Sequence, residues 1–527
     1  MLLAIKLSAI AKSDLRSKVK LGTLMEGVAV SLVRGTPELE VSSIAYDSRK
    51  VKPGGLFVAI KGRQFDGHQF IPQALSRGAK AIVVETQTLN IPSNFDVAIL
   101  RTFDSRQALA QLAARFWGNP SAGLILIGIT GTNGKTTTAY LVESVLQEAG
   151  YVPGVIGTVS YRYRGQVFPA LQTTPESLDL HYLLRQMLDV GVDCAILEVS
   201  SHAIALKRIA ECRFKIGVFT SFSQDHLDFH GTMEEYWQMK EKFFRDYIWP
   251  VDSSISVVNG DELKGKELVQ KGPDSMIVYG LEEAAMVKAQ NLKISLEGIH
   301  SEIYTPQGLL EIRSRLVGDF NIHNILAAVA VGVALEIPPS SIQRGIANVQ
   351  GIPGRMESIE NNRGIHIFVD FAHTPDALTR VLRFLNREAR GRIITLFGCG
   401  GDRDRGKRPL MGQVAAKYSD LIVLTSDNPR SEDPLAILAD IEKGLEGCAY
   451  SKVDSNQVLT SVTKKLYTVV ADRREAIRVA LSWSQPGDVL LLAGKGHESY
   501  QIIGNERIPF DDRQEVRQAL TETKSLS

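Results

Sequence analysis

Residues 124–138 read LILIGITGTNGKTTT. An apolar run of strand length enters Gly-x-x-Gly-Lys-Thr and continues into the helical pattern TTTAYLVESVLQEAG at 136–150, which is the order of a phosphate-binding loop. Glycines 131 and 134 let backbone N–H groups close around phosphate oxygens, and the helix N-terminus adds partial positive charge. Lys135 would reach the outer phosphates, and the Thr136 hydroxyl suits Mg²⁺. The general form of this loop places glycine five residues before Gly134, where this chain has Ile129. A strand–turn–helix corner that merely needs glycine is the competing reading. The coincidence of strand, glycines, Lys and Thr in this order predicts a chain that handles a nucleoside triphosphate.

Outward from the loop, three zones separate. From about 41 to 118, short strands (LFVAI, AIVVE) alternate with polar turns and the helical stretch QALAQLAARFWG. NPSAG at 119–123 reads as a linker. From 124, apolar strands (LILIGIT, CAILEVS, KIGVFTS, ISVVN) alternate with helical patterns, the signature of a largely parallel sheet with crossover helices. GIPGR at 351–355 marks a second boundary, after which IHIFVDF, IITLFGCGG, DLIVLTSDN and VLLLAGKG repeat the α/β alternation. The expected fold class is therefore α/β in three domains, 1–120, 121–351 and 352–527. In open parallel sheets ligands gather beyond the carboxyl ends of the strands, and these strands run straight into polar or glycine-rich residues.

The 527 residues exceed one ordinary core. With 60 Lys+Arg against 59 Asp+Glu, no global field favours nucleic acid or an anionic membrane. Cys194, Cys212, Cys399 and Cys448 lie far apart without a C-x-x-C pair, which argues against a disulfide framework or zinc site and fits a reducing compartment, the cytoplasm. No apolar run reaches the ~20 residues of a membrane span. The start, MLLAIKLSAIAKS, is basic and acid-poor, but Lys6 interrupts it and no small-residue cleavage site follows. A weak helix or strand is expected there rather than a secretory signal, a plastid transit segment being the other reading.

Several stretches carry candidate chemistry. CAILEVS delivers Glu198, Ser200, Ser201 and His202 to a strand end, a setting for Mg²⁺ or for an ion pair and helix cap. Asp225, His226, Asp228 and His230 crowd together, yet their spacing is no standard zinc pattern; one or two metal ligands and a hydrogen-bonded loop both fit. Asn321 and Asn324 begin a helix, where an amide can either read an adenine edge or cap the helix. Lys240 lies on a helical stretch and by residue type alone is a solvated charge.

The ordered series TGTNGKTTT, TTPES, EVSSH, DHLDFHGT, GDFNIHNILAA, GIPGRME, VDFAHTP, GCGGDRDRGKRPLMG, DNPR and AGKGHE resembles the motifs of the Mur ligase family, over roughly residues 41–512. The resemblance implies an N-terminal UDP-substrate-binding domain, a central ATP-binding P-loop domain and a C-terminal, Rossmann-like amino-acid-binding domain. It implies an ATP- and Mg²⁺-dependent amide ligase of peptidoglycan synthesis, acting as a monomer. ATP would phosphorylate the D-Glu carboxylate of UDP-N-acetylmuramoyl-L-alanyl-D-glutamate, and the amine of meso-2,6-diaminopimelate would attack the acyl phosphate. A carboxylate is a poor electrophile until phosphate makes it one; the protein positions reactants and neutralises charge.

Residue by residue, the resemblance carries ATP binding to Gly131, Thr132, Asn133, Gly134, Lys135, Thr136 and Thr137, with Asn324 facing adenine and Arg355 and Asp370 on the nucleotide. Glu198 matches a Mg²⁺ ligand, and His226 a further metal or phosphate contact. Lys240, in the setting YWQMK, matches a lysine carried as a carbamate (N6-carboxylysine), which turns a cation into an oxygen donor. Tyr46 and Ser48 of YDSR and Arg63, Gln64 and Phe65 of GRQFDG match contacts to the uridine nucleotide. Thr173, Thr174, Ser200 and Arg208 match positions around the muramoyl dipeptide. Gln172 stands where some relatives have Asn, Leu206 where some have Gln, and Ser221 where Asn is common.

Diaminopimelate is lysine with an extra distal carboxylate, which a fixed arginine suits better than a lysine. Arg430, with Asp427, Asn428 and Pro429, forms the DNPR that the resemblance associates with diaminopimelate; Arg403 matches a second carboxylate contact, and Gly494 and Glu498 the group receiving the distal ammonium. A lysine substrate would leave Arg430 unpaired. The alternatives are a lysine-adding ligase of the same family, a folylpolyglutamate-type ligase, a P-loop switch and a catalytically silent scaffold. DNPR and the N-terminal domain oppose the first two, the acceptor residues the third, and intact Lys135, Glu198 and Lys240 the fourth.

Overall fold

The computed structural model describes residues 18–62, 65–85, 96–455 and 465–522. The segment MLLAIKLSAIAKS lies outside the described residues, as do Arg63 and Gln64. The chain forms two compact units: one runs to Lys135 and adds Gly150–Val258 and Glu262–Ile277, and the other takes Thr136–Ala149, Asn259–Asp261 and the chain from Val278 onward.

The first unit carries two large sheets beside a short pairing of Val19–Lys20 with Glu40–Val41. The N-terminal one orders Ser31–Arg34, Ala98–Arg101, Ala81–Val84, Leu56–Val58 and Ile44–Ala45, antiparallel only at the first pair. Its helix Ser105–Phe116 begins two residues before the expected stretch, because the Asp104 carboxylate caps the N–H groups of Arg106 and Gln107. The expected linker at 119–123 is itself ordered: Pro120–Gly123 forms a 3-10 turn behind Asn119 at φ 49°.

In the second sheet of this unit the strand Ile125–Thr130 lies centrally, with Cys194–Glu198 on one side and Ile216–Phe219 on the other, all parallel. Pro153–Ile156 and Ile255–Asn259 extend the parallel run. Ser160–Tyr163 and Gln166–Pro169 close one edge in antiparallel fashion. Residues Leu126, Ile127, Ile196, Leu197 and Val218 are fully buried, which is why these strands read as unbroken apolar runs rather than as alternations.

The second unit holds an antiparallel ribbon, Val287–Ser295, Gly298–Thr305 and Gly308–Ser314, and a mostly parallel seven-stranded sheet. Its order is Glu357–Ser358, His366–Asp370, Val489–Ala493, Ile393–Phe397, Leu421–Leu424, Lys465–Val469 and Tyr450–Lys452. His366–Asp370, Val489–Ala493, Ile393–Phe397 and Leu421–Leu424 are the four strands expected after the second boundary. In the same unit Thr136–Ala149 packs on the helix Pro339–Asn348 so closely that a Cβ on Gly345 would sit 2.5 Å from Val145 Cα. Among the described residues no helix is long and apolar enough to cross a membrane. All four cysteines are free.

Candidate active site

Ile125–Thr130 ends at Gly131, with φ 149°, and the loop turns back through Gly134, with φ 86°. A Cβ at Gly131 would lie 1.9 Å from Thr220 Oγ1, so backbone geometry and space both demand glycine. The next strand braces the loop. Thr132 N donates to Ser221 O at 2.7 Å, Asn133 N to Ser221 Oγ at 3.1 Å, and Thr220 Oγ1 to Asn133 O at 2.6 Å. Lys135 folds over the turn, donating to Gly131 O at 2.8 Å and Thr132 O at 2.9 Å. Thr136 and Thr137 follow in the first turn of the helix Lys135–Glu148, both buried.

At the end of the neighbouring strand Glu198 is 1% exposed and accepts from Thr158 N at 3.0 Å and Thr158 Oγ1 at 2.8 Å. Thr158 Oγ1 lies 3.1 Å from Thr173 Oγ1, and Thr174 Oγ1 donates to Glu198 O at 2.7 Å and to Ser200 Oγ at 3.2 Å. Arg208 donates to Thr174 O at 3.1 Å and lies 3.6 Å from Glu176. The TTPES and EVSSH motifs therefore form one hydrogen-bonded group. Exposed Gln172 adjoins it through its backbone, bonded to the Tyr161 hydroxyl. Tyr46 donates to Asp179 at 2.5 Å, Ser48 to Gln73 at 2.6 Å, and Phe65 is exposed.

Lys240 is the least expected finding. On the helix Met233–Phe243 it is 1% exposed, its ammonium 4.7 Å from the Tyr236 ring centre. Burial, reinforced by the nearby Lys135 charge and opposed by Asp225, pushes its pKa well below the ordinary lysine value. Tyr236 in turn holds Thr132 of the loop, hydroxyl to hydroxyl at 3.1 Å. The DHLDFH segment packs as rings: His202 lies 4.8 Å from His226, 4.0 Å from Phe229 and 5.6 Å from His230. Burial drives His202 down to about 4 and lowers His226 and His230 as well. Among the described residues no group of three or more His, Cys, Asp or Glu could hold a metal ion.

The second unit holds three groups of its own. Asn324 is 7% exposed; its amide donates to Asn321 Oδ1 at 2.8 Å, and its oxygen accepts from Thr138 at 3.4 Å. Asp370 accepts from Met356 N and Ala372 N, each at 2.7 Å, and burial raises its pKa although Arg355 opposes this. Arg355 stacks 4.9 Å over Phe371. Beyond Leu421–Leu424, Arg430 has φ 52° and donates to Gly401 O at 2.6 Å. Asn428 Nδ2 donates to Glu498 at 2.9 Å, and a Cβ on Gly494 would meet Asp427 Oδ2 at 2.6 Å. Pro429 O lies 1.9 Å from the point a Cβ on Gly401 would occupy, while Arg403 is exposed, bonded to Asp402 O. DNPR, GCGG and AGKGHE thus converge on one cluster.

Three family descriptions cover this chain: "Mur ligase family, catalytic domain" over residues 40–117, "Mur ligase middle domain" over 129–332 and "Mur ligase, glutamate ligase domain" over 354–496. The chain belongs to the Mur ligase family. A relative from Geobacter metallireducens, described as UDP-N-acetylmuramoyl-L-alanyl-D-glutamate--2,6-diaminopimelate ligase, is 45% identical over 510 residues, 96% of this chain and 99% of the relative. One of the same description from Geobacter sulfurreducens is 44% identical over 496 residues, 94% and 97% of the two chains. A solved structure of a ligase of that description superposes with a TM-score of 0.67 at 31% identity, covering 96% of this chain and 100% of its own. The Mur ligase architecture is α/β in three domains, and the activity is ATP- and Mg²⁺-dependent ligation.

Three groups escaped residue-by-residue reading of this Mur ligase. Thr220, Ser221, Ser223 and Tyr236 brace the phosphate loop; Ser221, noted only as a departure, supplies two of those bonds. Thr158 holds Glu198, and no motif includes it. Lys495, fully buried inside AGKGHE, bonds Glu498 at 3.2 Å and Asn428 at 3.4 Å. The last was open to detection, since a lysine between two glycines at a strand end is an unusual placement for a solvated charge.

Proposed function

We propose that this chain joins meso-2,6-diaminopimelate to UDP-N-acetylmuramoyl-L-alanyl-D-glutamate with ATP, in the cytoplasm and as a monomer, during peptidoglycan synthesis. The observation that carries the reading is the near-full-length likeness to ligases of that description. The domains are taken as 1–120, 121–351 and 352–527, binding the UDP substrate, ATP and the amino acid respectively.

The γ-phosphoryl group passes to a D-Glu carboxylate oxygen and ADP leaves. The unprotonated amine then attacks the acyl carbon, the C–N bond forms, the C–O bond to phosphate breaks, and the nitrogen releases a proton. Loop N–H groups and Lys135 hold the phosphates; Asn324, Arg355 and Asp370 hold the rest of the nucleotide. Tyr46, Ser48, Arg63, Gln64 and Phe65 receive the uridine end, and Gln172, Thr173, Thr174, Ser200 and Arg208 the muramoyl dipeptide. Arg403 and Arg430 take the carboxylates of diaminopimelate, Gly494 and Glu498 receive its distal ammonium, and Asp427, Asn428 and Pro429 line the same site.

The residues fit magnesium. Mg²⁺ is commonly held by one or two carboxylates plus substrate phosphates, and Glu198 supplies a buried carboxylate at the strand end beside the loop. Bound there, with Thr136, Glu198 and a carbamate on Lys240 as protein donors, it would neutralise phosphate charge; His226 would add a phosphate contact. Burial supports the carbamate, because a neutral amine is the form that adds CO₂ and loses a proton.

The test offers purified protein, ATP, Mg²⁺ and the UDP-muramoyl dipeptide with either diaminopimelate or L-lysine. Product is expected with diaminopimelate, and equal turnover with lysine would overturn the specificity. Lys240→Ala should abolish activity, with partial recovery on adding a short carboxylic acid; full activity without that addition would remove the carbamate from the reading.

A further inference from the structure

We propose that Lys495 is a positioning residue that acts through Glu498, holding that carboxylate and the Asn428 amide in register for the distal end of the incoming diamino acid. The inference rests on the ligase reading above and concerns a residue to which that reading gives no role.

A fully buried lysine is costly unless paired. Lys495 is paired, to Glu498 Oε2 at 3.2 Å, and it donates to Asn428 Oδ1 at 3.4 Å. Asn428 Oδ1 also accepts from Ile502 N at 2.9 Å. Two donors on that oxygen turn the amide nitrogen outward, and Nδ2 meets the same Glu498 oxygen at 2.9 Å. Glu498 Oε2 is thus fixed from two sides, and the carboxylate remains 18% exposed.

The backbone around Lys495 has little freedom. Gly494 has φ 108° and Gly496 φ 52°. A Cβ on Gly494 would sit 2.6 Å from Asp427 Oδ2, and one on Gly496 would sit 2.6 Å from Phe371 Cβ. The ammonium therefore arrives at a set place. Its charge also serves a purpose. Asp427 is a buried acid of the same cluster, and burial without a nearby cation disfavours its charged form. Burial does raise the Asp427 pKa, and Lys495 is the largest influence opposing that rise. A Glu498 carboxylate held in one place is what an incoming ammonium requires.

The experiment is steady-state kinetics with diaminopimelate varied at saturating ATP and UDP substrate. Lys495→Met should raise KM for diaminopimelate by about tenfold or more, while kcat and the KM for ATP stay within about twofold. In a Glu498→Gln background the same substitution should change that KM by less than about twofold, since the group it acts through is gone. Lys495→Arg keeps the charge but not the point geometry; it should raise KM for diaminopimelate less than Met does, and it serves if the Met variant does not fold. An unchanged KM in the Met or Arg variant, equal loss across all substrates, or full additivity with Glu498→Gln would each overturn the positioning role. Wild-type protein that makes no product with diaminopimelate would overturn the ligase reading, and this inference with it.

Discussion

Gly131 has no room for a β-carbon, because Thr220 Oγ1 would lie 1.9 Å away and φ is 149°. Gly131→Ala must displace either the loop or Thr220, which braces it, and the loop is the proposed seat of the ATP phosphates. ATP should therefore raise the melting temperature of wild type and leave that of the variant nearly unchanged; an equal ATP shift in both would show that the loop tolerates the change. His181 makes a different residue-scale prediction. It is fully buried, its Nε2 3.1 Å from Ala210 O, and burial depresses its pKa to about 4. The unfolded chain, near 6.5, binds the proton first. The neutral ring thus costs nothing above pH 6.5, and stability falls as pH drops from 6.5 to about 4, with no further loss below. The total is about 3 kcal/mol. His181→Leu should lose less stability between pH 7 and 4.5 than wild type in urea titrations; identical acid sensitivity would mean that the ring titrates normally.

At the scale of elements, close packing outweighs surface pairing. The GIPGR turn meets the AGKGHE loop where Gly354 has φ 65° and a Cβ would fall 2.1 Å from His497 N. Gly354→Ala should cost about 2–4 kcal/mol through strain and overpacking, read as a lowered denaturation midpoint. By contrast Glu148, which pairs with Arg344 at 3.0 Å and Asn348 at 2.7 Å on the exposed face of the helix Pro339–Asn348, should lose under about 1 kcal/mol as Glu148→Ala. A larger effect at Glu148 than at Gly354 would invert this ranking. The same contrast explains what could be read beforehand. Parallel strands such as Ile125–Thr130 and Val489–Ala493 are buried on both faces, so their apolar runs were visible. The ribbon Val287–Ser314 was not, because its strands alternate buried and partly exposed residues and lack such runs.

Across the whole molecule, the motifs named candidate residues but not the electrostatic settings in which the fold places them. Lys240 looked like any helical lysine until the fold buried it beneath Tyr236. The Asn428–Lys495–Glu498 group joins residues from two distant strand ends, a meeting that no local pattern encodes. These placements matter because the chain is nearly neutral, with 60 basic and 59 acidic residues. A neutral molecule has little long-range field to draw in charged substrates, so at the proposed diaminopimelate site recognition would fall to short, partly buried pairs. Salt screens exposed charges beyond about 10 Å but reaches such pairs weakly. From about 0.05 to 0.5 M KCl, kcat/KM for diaminopimelate should therefore change by less than about threefold. A fall of about tenfold or more would shift the recognition onto exposed cations such as Arg403 and away from the half-buried Arg430 and the cluster around Glu498.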